Sequence, residues 1–344
     1  MNDRHPTLSV LIVTWNERER IVRALPPLRE QLGEGDEIIV ADNGSTDGTL
    51  EEVERLAPEA KIVRMPSNDG YMRACNAAAA LATGDVLVTL DADAIVAPGF
   101  CDAIRRPAVD GRGWDAWMGL LTMDGGRLIN TSAGVSHFTG ISWTRQFGEP
   151  VENAPTEPYE VAFVTGACMT TTREAWERAG GLPVDYFLYF DDVDYSWRMR
   201  LAGGKVGIEP AARVDHDYEF RRRAMKWQLL ERNRWASLVR TYPGELLILI
   251  APALVATEVA IFVLAVQQGW ARDKVRAWWE VIRWLPELLE QRREIQATRR
   301  ATALEFSAQF TADLSTPLLG RAGRSRVLRA LLRAYWAAVR AMLR

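Results

Sequence analysis

Two acids, Asp91-Ala92-Asp93, follow directly on the apolar run Val86–Leu90. A hard divalent cation takes oxygen ligands and is commonly held by one or two carboxylates together with substrate phosphates. Acids at i and i+2, where a buried strand runs out, suit that task. The plainer alternative is a solvated turn with an Asp capping the next helix. A second polar turn, Asp42-Asn43-Gly44-Ser45-Thr46-Asp47-Gly48, puts Asp42 where a carboxylate can accept from a ribose hydroxyl or a base N–H. Asp47 reads instead as a helix cap. Asn68-Asp69-Gly70 and Asn76 form a third polar island, placed for backbone N–H groups to receive phosphate. Downstream, Asp191-Asp192-Val193-Asp194 opens a helix, where acids also favour the helix dipole. Asp194 and Arg198 are spaced for an i,i+4 ion pair. His216 stands between Asp215 and Asp217.

The elements that must position these residues alternate in a β-α rhythm. Strands are expected at Leu8–Val13, Glu37–Ala41, Lys61–Met65 and Asp85–Leu90, with helices at Glu17–Gln31, Thr49–Leu56 and Tyr71–Ala82. Apolar strands joined by helical crossovers make an α/β sheet whose ligands gather at the carboxyl ends of the strands. Trp114–Tyr159 is irregular and reads as one strand plus loops. Regularity returns at Val161–Thr172, then a helix at Arg173–Ala179, a helix from Asp191 to about Leu201 and a strand near Val206–Ile208. Beyond residue 220 the chain turns to long helices. A boundary near Arg221–Arg232 divides a domain over 1–225 from one over 226–344.

The chain has 344 residues, 48% hydrophobic and 25% charged, with a net charge of −3, which excludes a disordered, collagenous or disulfide-stapled protein. Cys75, Cys101 and Cys168 lie at no metal-like spacing and point to a reducing compartment. The near-neutral total hides a split: residues 221–344 hold 22 Lys and Arg against 10 Asp and Glu, the first 220 hold 20 against 35. An acidic front suits a small ligand with a cation, and a basic back suits an anionic surface. Met1–Thr7 is polar with no apolar h-region, so no secretory leader is expected.

Taken in order, the motifs resemble the inverting GT-A-fold glycosyltransferases of family 2. The likeness runs through Thr14-Trp15-Asn16-Glu17, Asp42–Thr49, Asn68-Asp69-Gly70-Tyr71 with Asn76, and Asp91-Ala92-Asp93. It continues through Thr165–Met169, Gly180-Gly181-Leu182 and Phe190–Asp194 with Arg198, and ends at His216, covering roughly residues 7–220. The helical tail with Glu231-Arg232-Asn233-Arg234 resembles bacterial rhamnosyltransferase-type members. The resemblance implies a GT-A catalytic domain, a Rossmann-like mixed sheet with flanking helices, and a nucleotide-sugar donor. Thr14, Glu17 and Asp42 would hold base and ribose, with Asn68 and Arg73 nearby. Asp91 would touch the ribose or the metal region. Asp93 and His216 would ligate Mg²⁺ or Mn²⁺. Asp192 would be the general base, with Gly166 and Asp191 toward a glycan or lipid-linked acceptor. The chain departs from the family in carrying Asp191 where a Glu is usual, and in the Asp91-Ala92-Asp93-Ala94 form of the DxD motif.

Leu246–Val266 is 21 residues of apolar run broken by Pro252, Thr257 and Glu258, enough to span a bilayer of about 20 apolar residues. Arg326, Arg329, Arg333, Arg340 and Arg344 share one helix face beside Leu328, Leu331, Leu332, Tyr335, Val339 and Met342, an interfacial pattern with Trp336. Trp270, Trp278, Trp279 and Trp284 are candidates for headgroup level. Basic residues flank both ends of the apolar run, which favours a peripheral or re-entrant arrangement over a single span, with both halves on the cytoplasmic face. The alternative is a soluble helical bundle. No nucleic-acid partner is expected. A sugar-nucleotidyltransferase lacks its Gly-rich phosphate loop here, and an NAD-dependent dehydrogenase lacks G-x-G-x-x-G after the first strand. An inactive scaffold that binds sugar nucleotides is opposed by the retained Asp42, Asp93 and Asp192.

Overall fold

The computed structural model describes residues 5–216, 225–314 and 325–344. Met1–Arg4, Asp217 and the first part of the expected boundary, Arg221–Ala224, lie outside the described residues. The chain forms two compact units. One comprises Met1–Gly134, Thr144–Met199 and Gly204–Phe220; the other comprises Val135–Trp143, Arg200–Gly203 and Arg221–Arg344. A single linear boundary therefore does not separate them, because two short segments from the first two thirds of the chain belong with the helices.

The first half of the sheet unit runs β1 (Leu8–Thr14), α1 (Arg18–Arg29), β2 (Glu37–Asp42), α2 (Thr49–Leu56), β3 (Lys61–Arg64), α3 (Tyr71–Ala79), β4 (Val86–Asp91), β5 (Ile95–Val96) and α4 (Phe100–Arg105). Then come β6 (Trp114–Met123), β7 (Leu128–Thr131), the short pair β8 (Gly134–Ser136) and β9 (Ser142–Thr144), and β10 (Tyr159–Glu160). β11 (Cys168–Thr172), α5 (Arg173–Ala179), α6 (Asp191–Leu201) and β12 (Lys205–Asp215) complete the series. The mixed sheet has the order β10-β12-β6-β11-β4-β1-β2-β3, with β5 on β12 and β7 on β6. β1 runs parallel to both β2 and β4. β11 is antiparallel to β4 and β6.

This topology explains where the motifs meet. β1, β2 and β4 are buried almost throughout, as strands covered on both faces must be. The chain leaves β1 toward β2 and β3 on one side and returns to β4 on the other. The carboxyl ends of β1 and β4 thus bracket the crevice at a topological switch point. Thr14, Asp42 and Asp91 are the last residues of β1, β2 and β4. β12 extends well past the expected Val206–Ile208, shifting register between Glu209 and Arg213, where Pro210 removes a ladder donor. That extension carries the chain to His216.

Two expectations need correction. Trp114–Tyr159 holds β6 through β10 rather than one strand plus loops; β7 to β10 have only two to four residues each, too few to leave a readable period. Of Val161–Thr172 only Cys168–Thr172 is strand. The three cysteines are buried and unpaired.

The second unit contains α7 (Lys226–Thr241), α8 (Gly244–Gln268), α9 (Ala271–Ala297), α10 (Ala303–Phe306) and α11 (Arg326–Met342). The expected outward tryptophans mostly face inward. Trp336 stacks on Phe138 with centroids 4.9 Å apart, and Trp270 stacks on Trp227 at 4.8 Å. Trp278 donates to Glu258, and Arg232 lies over the ring of Trp284. Trp279 is the exposed one, at 57%. Each buried ring finds an aromatic or charged neighbour inside the bundle, which an amphipathic count along one helix does not reveal. Arg333 of the cationic stripe is paired with Asp313.

α6 is anchored by one buried ion pair. Asp194, fully buried, accepts from Arg198 Nε at 2.7 Å and from the Tyr186 hydroxyl at 2.9 Å. Arg198 also donates to the carbonyls of Ala179 (2.5 Å) and Gly181 (2.8 Å). The same turn is pinned from α3, where the Asn76 amide both donates to Leu182 O and accepts from Leu182 N, each at 2.9 Å. Asn76 is thereby committed to the fold rather than to phosphate. Arg198→Met leaves Asp194 buried without its cation and should cost about 3–5 kcal/mol, read as a lowered denaturant midpoint. Asp194→Asn combined with Arg198→Met should recover most of that loss.

Candidate active site

Asp93 sits two residues before β5, and β5 pairs with β12 through Ile95 and Asp215. That pairing brings the DxD turn beside His216. The imidazole Nε2 lies 3.2 Å from Asp93 Oδ1 and 3.5 Å from Asp91 Oδ2. One donor atom from each of Asp91, Asp93 and His216 falls within 4.8 Å of the others. Two carboxylate oxygens and an imidazole nitrogen suit Mg²⁺ or Mn²⁺ chemically, so the residues fit such an ion. His216 is fixed from behind: its N–H donates to Thr122 O at 2.9 Å and its carbonyl accepts from Asn130 Nδ2 at 2.8 Å. Its neighbour Asp215 accepts from Thr122 Oγ1 and Gly126 N.

Charge is balanced closely here. Burial disfavours the charged forms of both Asp93 and His216. Their mutual hydrogen bond and opposite charges outweigh it, lowering the Asp93 pKa and raising that of His216. Arg20, with Nη1 3.3 Å from Asp93 Oδ2 and 3.0 Å from Glu17 Oε2, lowers the Asp93 pKa further and opposes the rise at His216. Glu17 thus reaches the acid cluster through Arg20. Sequence reasoning passes over Arg20 and Asn130. The spacing of three between Glu17 and Arg20 on a first helical turn was the available signal; for Asn130, on a four-residue strand, there was none.

At the neighbouring strand ends, Thr14 and Asp42 meet across β1 and β2. Asp42 Oδ1 accepts from Thr14 Oγ1 at 2.9 Å and from the Ser45 hydroxyl; Oδ2 accepts from the amides of Gly44 (3.1 Å) and Ser45 (2.9 Å). A carboxylate offers about four lone-pair directions; three are taken by the turn Gly44–Ser45 and the fourth by Thr14 of β1. Asn68 accepts from Gly70 N at 3.3 Å in a tight Asx turn, and Arg73 is exposed on the first turn of α3.

Asp191 and Asp192 open α6 after a strained approach. Phe187, Tyr189 and Phe190 all have positive φ, of 65°, 70° and 68°, each costing about 1–2 kcal/mol for a side chain of this kind. Gly70 lets the turn close: a Cβ there would sit 2.8 Å from Phe187 O, which also accepts from Tyr71 N at 3.0 Å. Asp192 Oδ2 accepts from Gly166 N at 3.0 Å and Oδ1 from Val193 N at 2.7 Å. Gly166 O in turn accepts from Thr89 Oγ1 at 3.1 Å, and Asp91 N donates to Ala167 O at 3.3 Å. Residues 166–167 therefore tie the acid pair to the end of β4.

Burial pushes the Asp192 pKa up, the two amides pull it back, and nearby Asp91 raises it again, leaving it at about 6. Asp191 is more deeply buried, and with Asp192 beside it its pKa stands well above the ordinary carboxylate range. The pair can therefore present one ionised and one protonated carboxyl near neutral pH. The structure brings Asp91, Asp93 and His216 into one cluster, with Glu17 joined to it through Arg20. Asp191, Asp192 and Gly166 form a second, linked group. Thr14 and Asp42 stand at the adjoining strand ends, and Asn68 and Arg73 enter α3.

The sequence model of Glycosyl transferase family 2 matches residues 9–178. A Mycobacterium tuberculosis N-acetylglucosaminyl-diphospho-decaprenol L-rhamnosyltransferase is 27% identical over 237 residues, covering 61% of this chain and 75% of that protein. Among solved structures, GalNAc-T7 with UDP, GalNAc and Mn²⁺ matches with a TM-score of 0.58 at 19% identity, over 71% of this chain and 49% of that one. The chain thus spans about half the length of that enzyme. A mannosyltransferase from Pyrobaculum calidifontis with GDP-Man and Mn²⁺ matches at TM-score 0.50 and 22% identity, covering 99% of this chain and 86% of its own. These two likenesses bear on the fold. With its mixed sheet and its DxD turn at the end of β4, the chain has the GT-A fold, and its residues 9–178 belong to glycosyltransferase family 2.

Proposed function

We propose that the protein is an inverting, divalent-metal-dependent glycosyltransferase. It moves a sugar, rhamnosyl by likeness to the mycobacterial relative, from a nucleotide-sugar donor to a hydroxyl of a lipid-linked or glycan acceptor at the cytoplasmic face of a membrane. The observation that carries this reading is the hydrogen-bonded link through Gly166 and Ala167 between a cation-fitting cluster and a carboxylate of near-neutral pKa.

Asp93 and His216 would hold the cation, with Asp91 at its edge. When bound, the ion supplies Lewis-acid stabilisation of negative charge on the departing diphosphate. Asp192, oriented by the Gly166 and Val193 amides, keeps a lone pair for the acceptor hydroxyl and takes its proton as the new C–O bond forms. The anomeric C–O bond to phosphate breaks and its electron pair leaves with the nucleoside diphosphate. One displacement with one catalytic carboxylate inverts the anomeric centre. Asp191, protonated, can donate a hydrogen bond to the acceptor. Thr14, Glu17 and Asp42, with Asn68 and Arg73, would shape the nucleoside side. Asp42 does so chiefly by fixing the turn Gly44–Ser45, since a direct bond to the donor requires the Ser45 hydroxyl to turn away.

The base assignment is tested by kinetics. Asp192→Asn should lower kcat by about 10²–10⁴-fold while donor affinity, measured by calorimetry, stays within a few-fold; near-normal turnover refutes it. The kcat profile of the native enzyme should rise through a midpoint near pH 6 and level off above it, because the carboxyl whose pKa is raised to about 6 is inactive while protonated. For the metal, Asp93→Ala should weaken Mn²⁺ binding by more than about tenfold, and excess chelator should stop turnover. An unchanged titration in the variant removes Asp93 as a ligand. Arg20→Gln should tighten Mn²⁺ binding a few-fold in the same titration, since a cation that competes for Asp93 is gone. Weaker binding would make Arg20 a support for the site rather than a competitor.

A further inference from the structure

Helix α8 has the length and composition to cross a bilayer, with mean hydropathy 2.5 and only 22% of its apolar window buried. Its exposed positions Ile248, Val255, Val259, Val263 and Val266 recur at helical spacing along one side, while Leu246, Ile250, Leu254 and Ala265 face inward. α8 is tied to α9 at its first turn and again near its middle. In its first turn Glu245 pairs with Arg299, just beyond α9, at 2.6 Å. Arg292 of α9 donates to the carbonyls of Val239, in the last turn of α7, and Tyr242, just before α8, at 2.6 and 2.7 Å. Halfway along, Glu258 accepts from Lys274 Nζ and Trp278 Nε1 at the start of α9, both at 2.7 Å, and also from Arg234 of α7. Lys274, fully buried, bonds Glu231 of α7 as well.

α9 therefore runs back beside α8 from the turn at Gly269–Trp270. Were α8 to span a membrane, α9 would enter the hydrocarbon with Arg272, Arg276, Glu280, Arg283, Glu287 and Glu290, and charges there are strongly disfavoured. α9 instead exposes its own apolar stripe of Val275, Trp279, Ile282 and Leu289, rimmed over its first half by the exposed Arg272, Arg276 and Arg283. An exposed apolar stripe on each helix, with an arginine border on α9, complements the acyl and headgroup layers of an anionic leaflet.

We infer that α8 and α9 lie flat in one leaflet as a monotopic hairpin, with no segment of α8 reaching the far side. This rests on the membrane-surface reading above and adds its geometry. The test uses the full chain in membrane vesicles of both orientations, with single cysteines at Glu19, Val259, Gln268 and Glu294 probed by a membrane-impermeant maleimide; Cys75, Cys101 and Cys168 are buried. Q268C and E294C should label from the same side as E19C, and V259C only after detergent. Labelling of Q268C from the opposite side overturns the inference and makes α8 a span. Separately, V255E combined with V259E should reduce flotation with phosphatidylglycerol-containing vesicles by about tenfold or more while leaving the unfolding midpoint unchanged; undiminished flotation overturns the assigned face. If the native chain floats with no vesicle and V259C labels freely, the membrane-surface reading itself falls.

Discussion

Carboxylates crowding around the end of β4 set the constraint that the rest of the catalytic unit answers. Asp91, Asp93, Asp191 and Asp192 stand close enough for Asp91 to act electrostatically on both members of the second pair. Like charges at such range cannot all ionise in a partly buried site unless something compensates. Compensation comes in three forms. His216 and Arg20 face Asp93, backbone N–H groups of Gly166 and Val193 face Asp192, and burial beside Asp192 favours the protonated form of Asp191. Each form gives a different chemical character to what is, in the sequence, the same residue type.

That differentiation is why the site was only partly legible in the sequence. The acids themselves and their order were readable, because they fall where apolar strands stop, and their pattern is that of the family. The four strands β1 to β4 were readable for the same reason: near-continuous apolar runs between polar turns. What could not be read was how side chains spend their hydrogen-bonding capacity. Asp42 is saturated by its own turn together with Thr14 of β1, and Asn76 is consumed by Leu182. Arg20 lies on α1 facing a turn more than seventy residues away. Where one strand was expected, β6 through β10 form, because β7 to β10 have only two to four residues each and show no readable period, and the inward turn of Trp336 depends on Phe138, a residue from a distant segment.

The helical unit follows a different physical logic. Its interior holds Glu231, Arg234, Glu258 and Lys274 in a closed set of ion pairs. Such buried networks contribute little net stability compared with apolar packing of similar volume, but an unmatched member is strongly penalised. The arrangement therefore acts chiefly on register: Glu258 has one place where both Arg234 and Lys274 can reach it, which fixes how α8 lies against α7 and α9. An apolar helix of this length, packed by hydrophobic contact alone, has no comparable means of choosing among rotations about its axis.

The backbone contact between Tyr71 and Phe187 has a mechanical result. It joins the segment that begins α3 to the left-handed turn that ends at Phe190, with Gly70 leaving no slack between them. The α3 side and the α6 side of the crevice are consequently geared to each other. A shift of the former that preserves this bond must carry the start of α6 along, so the spacing between the head of α3 and the Asp191–Asp192 pair is held by the scaffold.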